Sequence, residues 1–366
     1  MLVKIALAPA WDGHYTLPMR KLRLLLVIAW FIPSAQLPAG QNNELLQVHF
    51  VDVGQGDAIW IQGPAGECTD NGLNIIIDGG PHTGKSNRLI TYLETYKFVK
   101  DSLVDYAIVT HPHDDHYPGM ADVLQNYRVK TIVDSGFPDV GVKFQKFLTL
   151  VKAEKVGNVK STFVELRKQP KFQFADCGDL HMSILFSDTD QTGLGSGNSR
   201  TNNASTVVRF EYKKFVFLFR GDLEGKDRKD PADKLSLGEK ALLSKAPAEK
   251  LRATVLKVGH HGSETSSTLS LIRAVQPEVV VIQSGRKAFS GTFLPDQGVL
   301  DRYKKELPGS VIVRTDEGDE AQGLDTTNDA DGDDIAILTD GDSLRVRQAR
   351  ISGGKRRWVT VKTIQK

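Results

Sequence analysis

The run Thr110-His111-Pro112-His113-Asp114-Asp115-His116 puts four metal-binding side chains within six positions, in the pattern HxHxDH. It follows a short apolar segment, Tyr106-Ala107-Ile108-Val109, which reads as a buried strand. Pro112 then turns the chain, and Tyr117-Pro118-Gly119 leads into a helix. The cluster therefore sits where a strand ends, the place where α/β sheets carry their sites. His111 and His113 are two apart, which in extended chain puts both imidazoles on one face. Asp115 and His116 lie just beyond and can turn toward a second ion. One such cluster can hold two metals side by side, the arrangement used for hydrolytic displacements. The whole chain has nine histidines and three fall in these six positions, which disfavours a polar loop that is His-rich by chance.

Three other segments end an apolar run in a potential ligand. They are Asn74-Ile75-Ile76-Ile77-Asp78-Gly79-Gly80, Phe215-Val216-Phe217-Leu218-Phe219-Arg220-Gly221-Asp222-Leu223-Glu224, and Val255-Leu256-Lys257-Val258-Gly259-His260-His261-Gly262-Ser263. Each is a weak signal alone. In this order around HxHxDH they resemble the metallo-β-lactamase superfamily. The resemblance implies an α/β fold, a four-layer αββα sandwich, and two divalent ions, zinc or manganese. His111 and His113 would hold one ion. Asp115, His116 and His260 would hold the other, with Asp222 bridging. His261 is the alternative to His260, because adjacent histidines at a strand end point opposite ways. Asp78 would orient the ligands by hydrogen bonds. Asp115 and Asp222 are the catalytic carboxylates that the resemblance implies, and a metal-bound hydroxide is the nucleophile.

Val48-His49-Phe50-Val51-Asp52-Val53-Gly54-Gln55-Gly56-Asp57-Ala58-Ile59, Asn202-Asn203-Ala204-Ser205-Thr206-Val207-Val208 and His260-His261-Gly262-Ser263 narrow the resemblance. They are similar to the soluble C-terminal domain of the competence DNA-uptake protein ComEC and its stand-alone relatives. The similarity runs over about residues 46–315 and implies a phosphodiester substrate, DNA foremost. The alternatives are a lactonase, a β-lactamase-like or thioester hydrolase on the same fold, or a non-catalytic module that keeps a metal site. Two positions depart from the pattern. Many superfamily members carry a further histidine between HxHxDH and the bridging aspartate, where this chain has only His181. Asn203 stands near that place as a candidate for supporting the site or touching substrate, and an amide suits harder ions than zinc. The ComEC-like group tends to have His-Pro where this chain has Leu294-Pro295.

The formal net charge of +2 does not by itself indicate a nucleic-acid binder, and 25% charged with 40% hydrophobic residues is ordinary for a globular enzyme. Residues 1–45 read as a signal peptide and leader with Met19 as a candidate start. A basic stretch, Met19-Arg20-Lys21-Leu22-Arg23, precedes nine apolar residues, Leu24 to Ile32, and then small residues. That core is shorter than a membrane span. A secreted or periplasmic protein with no membrane span in its mature chain is the expectation, and there Cys68 and Cys177 can pair. Strands are expected over 46–62, 73–78, 103–109 and 130–133, with helices over 87–98 and 142–155. Residues 187–203 read as a loop, 207–219 as a hairpin around Lys213-Lys214, and 225–253 as charged helix. A metallo-β-lactamase-like domain over 46–315 is followed by an extension over 316–366. The extension is a solvated acidic loop and a basic β-ribbon whose Arg345, Arg347, Arg350, Arg356, Arg357, Lys362 and Trp358 could meet a nucleic-acid backbone.

Overall fold

A computed structural model of the chain describes residues 44–138, 140–174, 177–188, 194–285, 292–317, 332–352 and 355–366. The expected signal segment lies outside the described residues. Among the described residues no helix is long and apolar enough to cross a membrane.

The chain opens with β1 (Leu46–Phe50), β2 (Ala58–Gln62) and β3 (Asn74–Gly79), then helix α1 (Arg88–Thr95) and β4 (Leu103–Val109). Helix α2 (Pro118–Asn126), β5 (Arg128–Asp134) and α3 (Val142–Ala153) follow. A small hairpin, β6 (Lys155–Val156) and β7 (Val159–Lys160), leads to β8 (Thr162–Glu165). The second half runs β9 (Leu180–Phe186), α4 (Gly197–Asn202), β10 (Val207–Tyr212), β11 (Phe215–Phe219), α5 (Leu237–Lys245), α6 (Ala248–Leu251), β12 (Val255–Lys257), α7 (Leu269–Val275), β13 (Val279–Ile282), α8 (Gln297–Glu306) and β14 (Val311–Arg314). Strands β15 (Ile335–Thr339), β16 (Ser343–Ser352) and β17 (Lys355–Gln365) close it.

These strands make a nine-stranded sheet, ordered β17-β16-β15-β1-β2-β3-β4-β5-β8, and a six-stranded sheet, ordered β14-β13-β12-β11-β10-β9. The period-2 alternation of strand side chains divides each sheet between two cores. Ile59, Ile61, Ile75 and Ile77 share a cluster with Phe210, Phe217, Phe219 and Val281, so the sheets pack face to face. Their neighbours Trp60 and Ile76 turn the other way, onto Leu93, Met120, Val123 and Phe147 of α1–α3. On the far side, Leu218, Leu256 and Val280 pack on Leu242, Leu271, Ile272 and Tyr303 of α5, α7 and α8. Three cores between four layers is the αββα sandwich. Strands buried on both faces read as near-continuous apolar runs, which is why the sequence exposes them.

Several local expectations change. Residues 46–62 are two antiparallel strands, Gln47 opposite Gln62, with residues 51–57 as the loop between them. The loop over 187–203 contains the short helix α4. Residues 225–236 are not helical, and the first helix of that region begins at Leu237. The C-terminal ribbon is not an appendage: β15 pairs with β1 along Leu46↔Thr339 to Phe50↔Ile335, extending the first sheet. Residues 318–331 of the acidic run lie outside the described residues, but its end is not solvated. Asp334 is fully buried, accepts the Asp52 N–H at 2.7 Å and is ion-paired with Arg356. Cys68 and Cys177 form a disulfide, with Cα atoms 5.0 Å apart, tying the β2–β3 loop to the approach to β9.

Candidate metal centre

Each candidate ligand segment leaves the carboxyl end of a strand: Asp78 from β3, residues 111–116 from β4, Asp222 from β11, and His260-His261 from β12. Because β3 runs parallel to β4 and β11 parallel to β12, the segments emerge together in pairs. The turns are tight. Asp78, His260 and His261 have φ of 56°, 46° and 52°, a left-handed backbone that costs non-glycine residues about 1–3 kcal/mol each and gathers at functional sites. Gly221 has φ 48°, and a Cβ there would lie 2.8 Å from both Ser205 Oγ and Thr110 Oγ1, so only glycine brings Asp222 in.

Three groups of side chains among the described residues could hold a cation, and two of them face the cavity; the third, Asp57, Asp78 and His116, lies behind them. Of the two at the cavity, His111, His113 and Asp222 form one; Asp115, His116, Asp222 and His261 form the other; Asp222 belongs to both. Within each group the ligand atoms lie within 4.8 Å of one another. Asp222 Oδ2 is 3.3 Å from His116 Nε2, 3.3 Å from His261 Nε2 and 3.8 Å from His111 Nε2. Asp115 Oδ2 is 3.3 Å from His261 Nε2. His111, His116, His261 and Asp222 are buried, and Asp115 is partly open to solvent.

The hydrogen bonds behind these groups assign the imidazole tautomers. His261 Nδ1 lies 2.8 Å from the Gln283 carbonyl and must donate to it. His116 Nδ1 donates to Asp78 Oδ2 at 2.9 Å. In the neutral rings both Nε2 atoms then present lone pairs, 3.3 Å apart, toward each other. Two facing acceptors are satisfied by a shared cation. Asp222 Oδ1, buried without a hydrogen-bond partner among the described residues, makes the same demand. The residues therefore fit a divalent metal cation. Asp78 also accepts the Thr110 N–H at 2.8 Å and the Thr110 hydroxyl at 2.7 Å, which fixes its carboxylate.

The carboxylates draw positive charge to this same place, whether as a metal ion or as the ring protons that a metal would displace. Burial pushes the Asp222 carboxyl up, but the imidazoles of His261 and His116 outweigh it and hold the group well below the usual carboxylate range. Burial pulls His116 and His261 down, yet Asp222 leads the carboxylates that lift both well above the ordinary imidazole value. His111 is held low by its burial.

His260 does not enter either group. Its Nδ1 meets Thr265 Oγ1 at 2.9 Å and Glu224 Oε1 at 3.1 Å, and the ring lines the cavity beside the cluster. Asn203 is also turned away. Its amide oxygen accepts the Glu224 and Gly238 N–H groups at 3.1 and 3.0 Å, and its nitrogen donates to the Ser199 carbonyl at 2.8 Å. It clamps the segment that carries Glu224. His181 sits exposed on β9 opposite Glu211, outside both groups. Leu294 does line the cavity, at the place of the expected His-Pro departure.

Sequence reasoning missed three groups. Asp57 ends the β1–β2 loop with Oδ1 3.3 Å from His261 Nδ1, and is ion-paired with Lys257. Burial raises the Asp57 carboxyl, but the Lys257 ammonium outweighs it and holds the group low. Lys257, fully buried inside the apolar run of β12, was the available signal, since a buried lysine needs a carboxylate. Glu224 holds His260, and Asn202 donates to it at 3.0 Å.

The cavity over the cluster has a volume of about 690 Å³, with His113, Asp115, Glu224, Arg228 and His260 on its walls. This fold, with histidines and aspartates meeting at strand ends under an open cleft, defines a class. The family model of the metallo-beta-lactamase superfamily matches residues 51–286, and the chain belongs to that superfamily. Among characterised sequences it is similar to ComE operon protein 3 of Bacillus subtilis, 26% identical over 282 residues, covering 74% of this chain and 32% of that protein. It is also similar to Recombination protein 2 of Haemophilus influenzae, 26% identical, covering 73% of this chain and 28% of that protein. Competence protein ComA of Neisseria gonorrhoeae is 32% identical over 120 residues, 32% of this chain and 15% of that one. These are ComEC-related competence proteins, and the chain spans about a third or less of the length of each. Solved structures that align include a metal-dependent hydrolase of the β-lactamase superfamily, with TM-score 0.44 and 12% identity over 75% of this chain and 97% of that one. A diphosphatase of the PhnP family aligns with TM-score 0.39 and 13% identity over 80% and 98%.

Proposed function

We propose that this superfamily hydrolase is an exported, two-metal phosphodiesterase that acts on DNA. The observation that carries the reading is the sharing of Asp222 between two ligand groups at the floor of one open cavity. His111 and His113 take one ion, Asp115, His116 and His261 the other. Zinc or manganese suits a set built only of imidazole and carboxylate. When bound, such a pair activates the nucleophile and stabilises the attacking and leaving oxygens of an in-line displacement.

The remaining residues hold and orient. Asp78 and the Gln283 carbonyl lock the rings of His116 and His261. Asp57 and Lys257 brace His261 from behind. His260, whose Nδ1 meets Glu224 and Thr265 and whose Nε2 lies 3.4 Å from the Asn202 amide nitrogen, stands on the cavity wall beside the reacting phosphate. Arg228 adds a cation to the wall, although it also pairs with Asp296.

Relatives named for competence and recombination support DNA as the substrate. The disulfide supports an oxidising compartment, secreted or periplasmic. The C-terminal ribbon offers Arg345, Arg357 and Lys362 to a phosphate backbone. Its removal is a poor test, because Leu344, Val346 and Ile364 are core residues and Arg356 is anchored on Asp334. The reading is tested with protein loaded with manganese or zinc, on bis-nitrophenyl phosphate, single- and double-stranded DNA, a lactone, a β-lactam and a thioester. Hydrolysis of the diester and of DNA is expected. Rapid turnover of a lactone, β-lactam or thioester without cleavage of any diester would replace this function with another on the same fold. Inertness toward the whole panel would leave a metal-binding module.

A further inference from the structure

A second cavity, of about 390 Å³, opens along helix α3. It shares Pro81 and Asp114 with the cavity over the metal centre, so the two are adjoining lengths of one groove. Tyr117, Phe147 and Leu150 give it an apolar floor, and Lys143 and Lys146 stand on its rim. The helix explains the arrangement. Lys143, Lys146 and Leu150 are spaced i, i+3 and i+7, one face of a helix, while Phe144 and Val151 face the core. Within Val142–Ala153 there are three lysines and no acidic residue. Val142 and Leu150 remain open, at 68% and 40% exposure.

Resting on the phosphodiesterase reading above, we propose that this groove carries one flank of a single-stranded nucleic acid whose scissile phosphate lies over the metal centre. Lys143 and Lys146 contact successive backbone phosphates, and Leu150 with the edge of Phe147 supports a base. Charge decides the occupant. An acyl chain would use the apolar floor and gain nothing from two ammonium groups, whereas a nucleic-acid strand uses both. Lys143 is paired with Asp114 at 3.1 Å, with side-chain exposures of 80% and 64%. Pairs that open to water hold little energy, so the lysine is free to exchange its partner for a phosphate.

The test uses the full-length, metal-loaded protein and a K143Q/K146Q variant, whose substitutions are both on exposed positions. Kinetics are read on a short single-stranded oligodeoxynucleotide and on bis-nitrophenyl phosphate at two salt concentrations. The variant should raise KM for the oligonucleotide about tenfold at low salt and flatten its salt dependence, with two contacts lowering the logarithmic slope by about 1.4. Turnover of the small diester should be unchanged, and K143R/K146R should restore the oligonucleotide KM. An unchanged oligonucleotide KM and salt slope, with both substrates still turned over, overturns the groove and leaves the phosphodiesterase reading standing. An equal loss on both substrates also overturns it, since the lysines would then serve the fold or the centre. If the unaltered protein hydrolyses neither substrate, the phosphodiesterase reading fails and the groove proposal fails with it.

Discussion

Asp222→Ala should lose both metal ions and turnover together. Its Oδ2 faces His116 and His261 at 3.3 Å each and His111 at 3.8 Å, so one carboxylate serves both ligand groups. Its removal leaves one side with two histidines and the other with two histidines and Asp115. A metal pair supplies several kcal/mol to a transition state, which corresponds to about a thousandfold in rate. The fold should survive, because the Asp222 N–H to Ser205 Oγ bond is made by the backbone and Oδ1 has no hydrogen bond to lose among the described residues. Metal analysis and single-turnover kinetics on the purified variant check this. A variant that keeps both ions and turns over normally would show that the ions, if present, are held elsewhere.

The adjacent histidines should separate cleanly. His261→Ala removes the nitrogen that lies 3.3 Å from both Asp115 and Asp222, so the ion on that side and about a thousandfold in turnover should be lost. His260→Ala should keep both ions. It removes one hydrogen bond to a charged oxygen, worth about 1.5–3 kcal/mol, and so should cost about ten- to a hundredfold in turnover. Metal content of the two variants, measured side by side, decides between the rings. Loss of metal from His260→Ala with retention in His261→Ala would reverse the roles.

The choice between those rings shows where reading a sequence stops. Strand ends were legible, because Tyr106–Val109 of β4 and Phe215–Phe219 of β11 are continuous apolar runs, and Lys213-Lys214 marks the turn between β10 and β11. The HxHxDH cluster was legible because its side chains are neighbours in the chain. Which of His260 and His261 turns inward depends on two successive left-handed residues, and no periodicity encodes that. Asp57 and Lys257 find each other across two sheets, a buried ion pair with no local signature. The same holds for β15, whose pairing with β1 joins the two ends of the domain and made the last strands look separable. Residues 225–236 carry helix-compatible charge, yet Lys226 is drawn inside to Glu264 at 3.1 Å and the Asp230 carbonyl at 2.9 Å, a tertiary demand that overrides propensity.

The central claim is a centre built for two ions, and the metal content of the unaltered protein tests it most directly. After equilibration with manganese or zinc and removal of loosely bound metal, the account predicts about two ions per chain, with diester turnover abolished by chelation and restored by the same metal. Full turnover at one ion per chain, or turnover that persists through complete chelation, would contradict it.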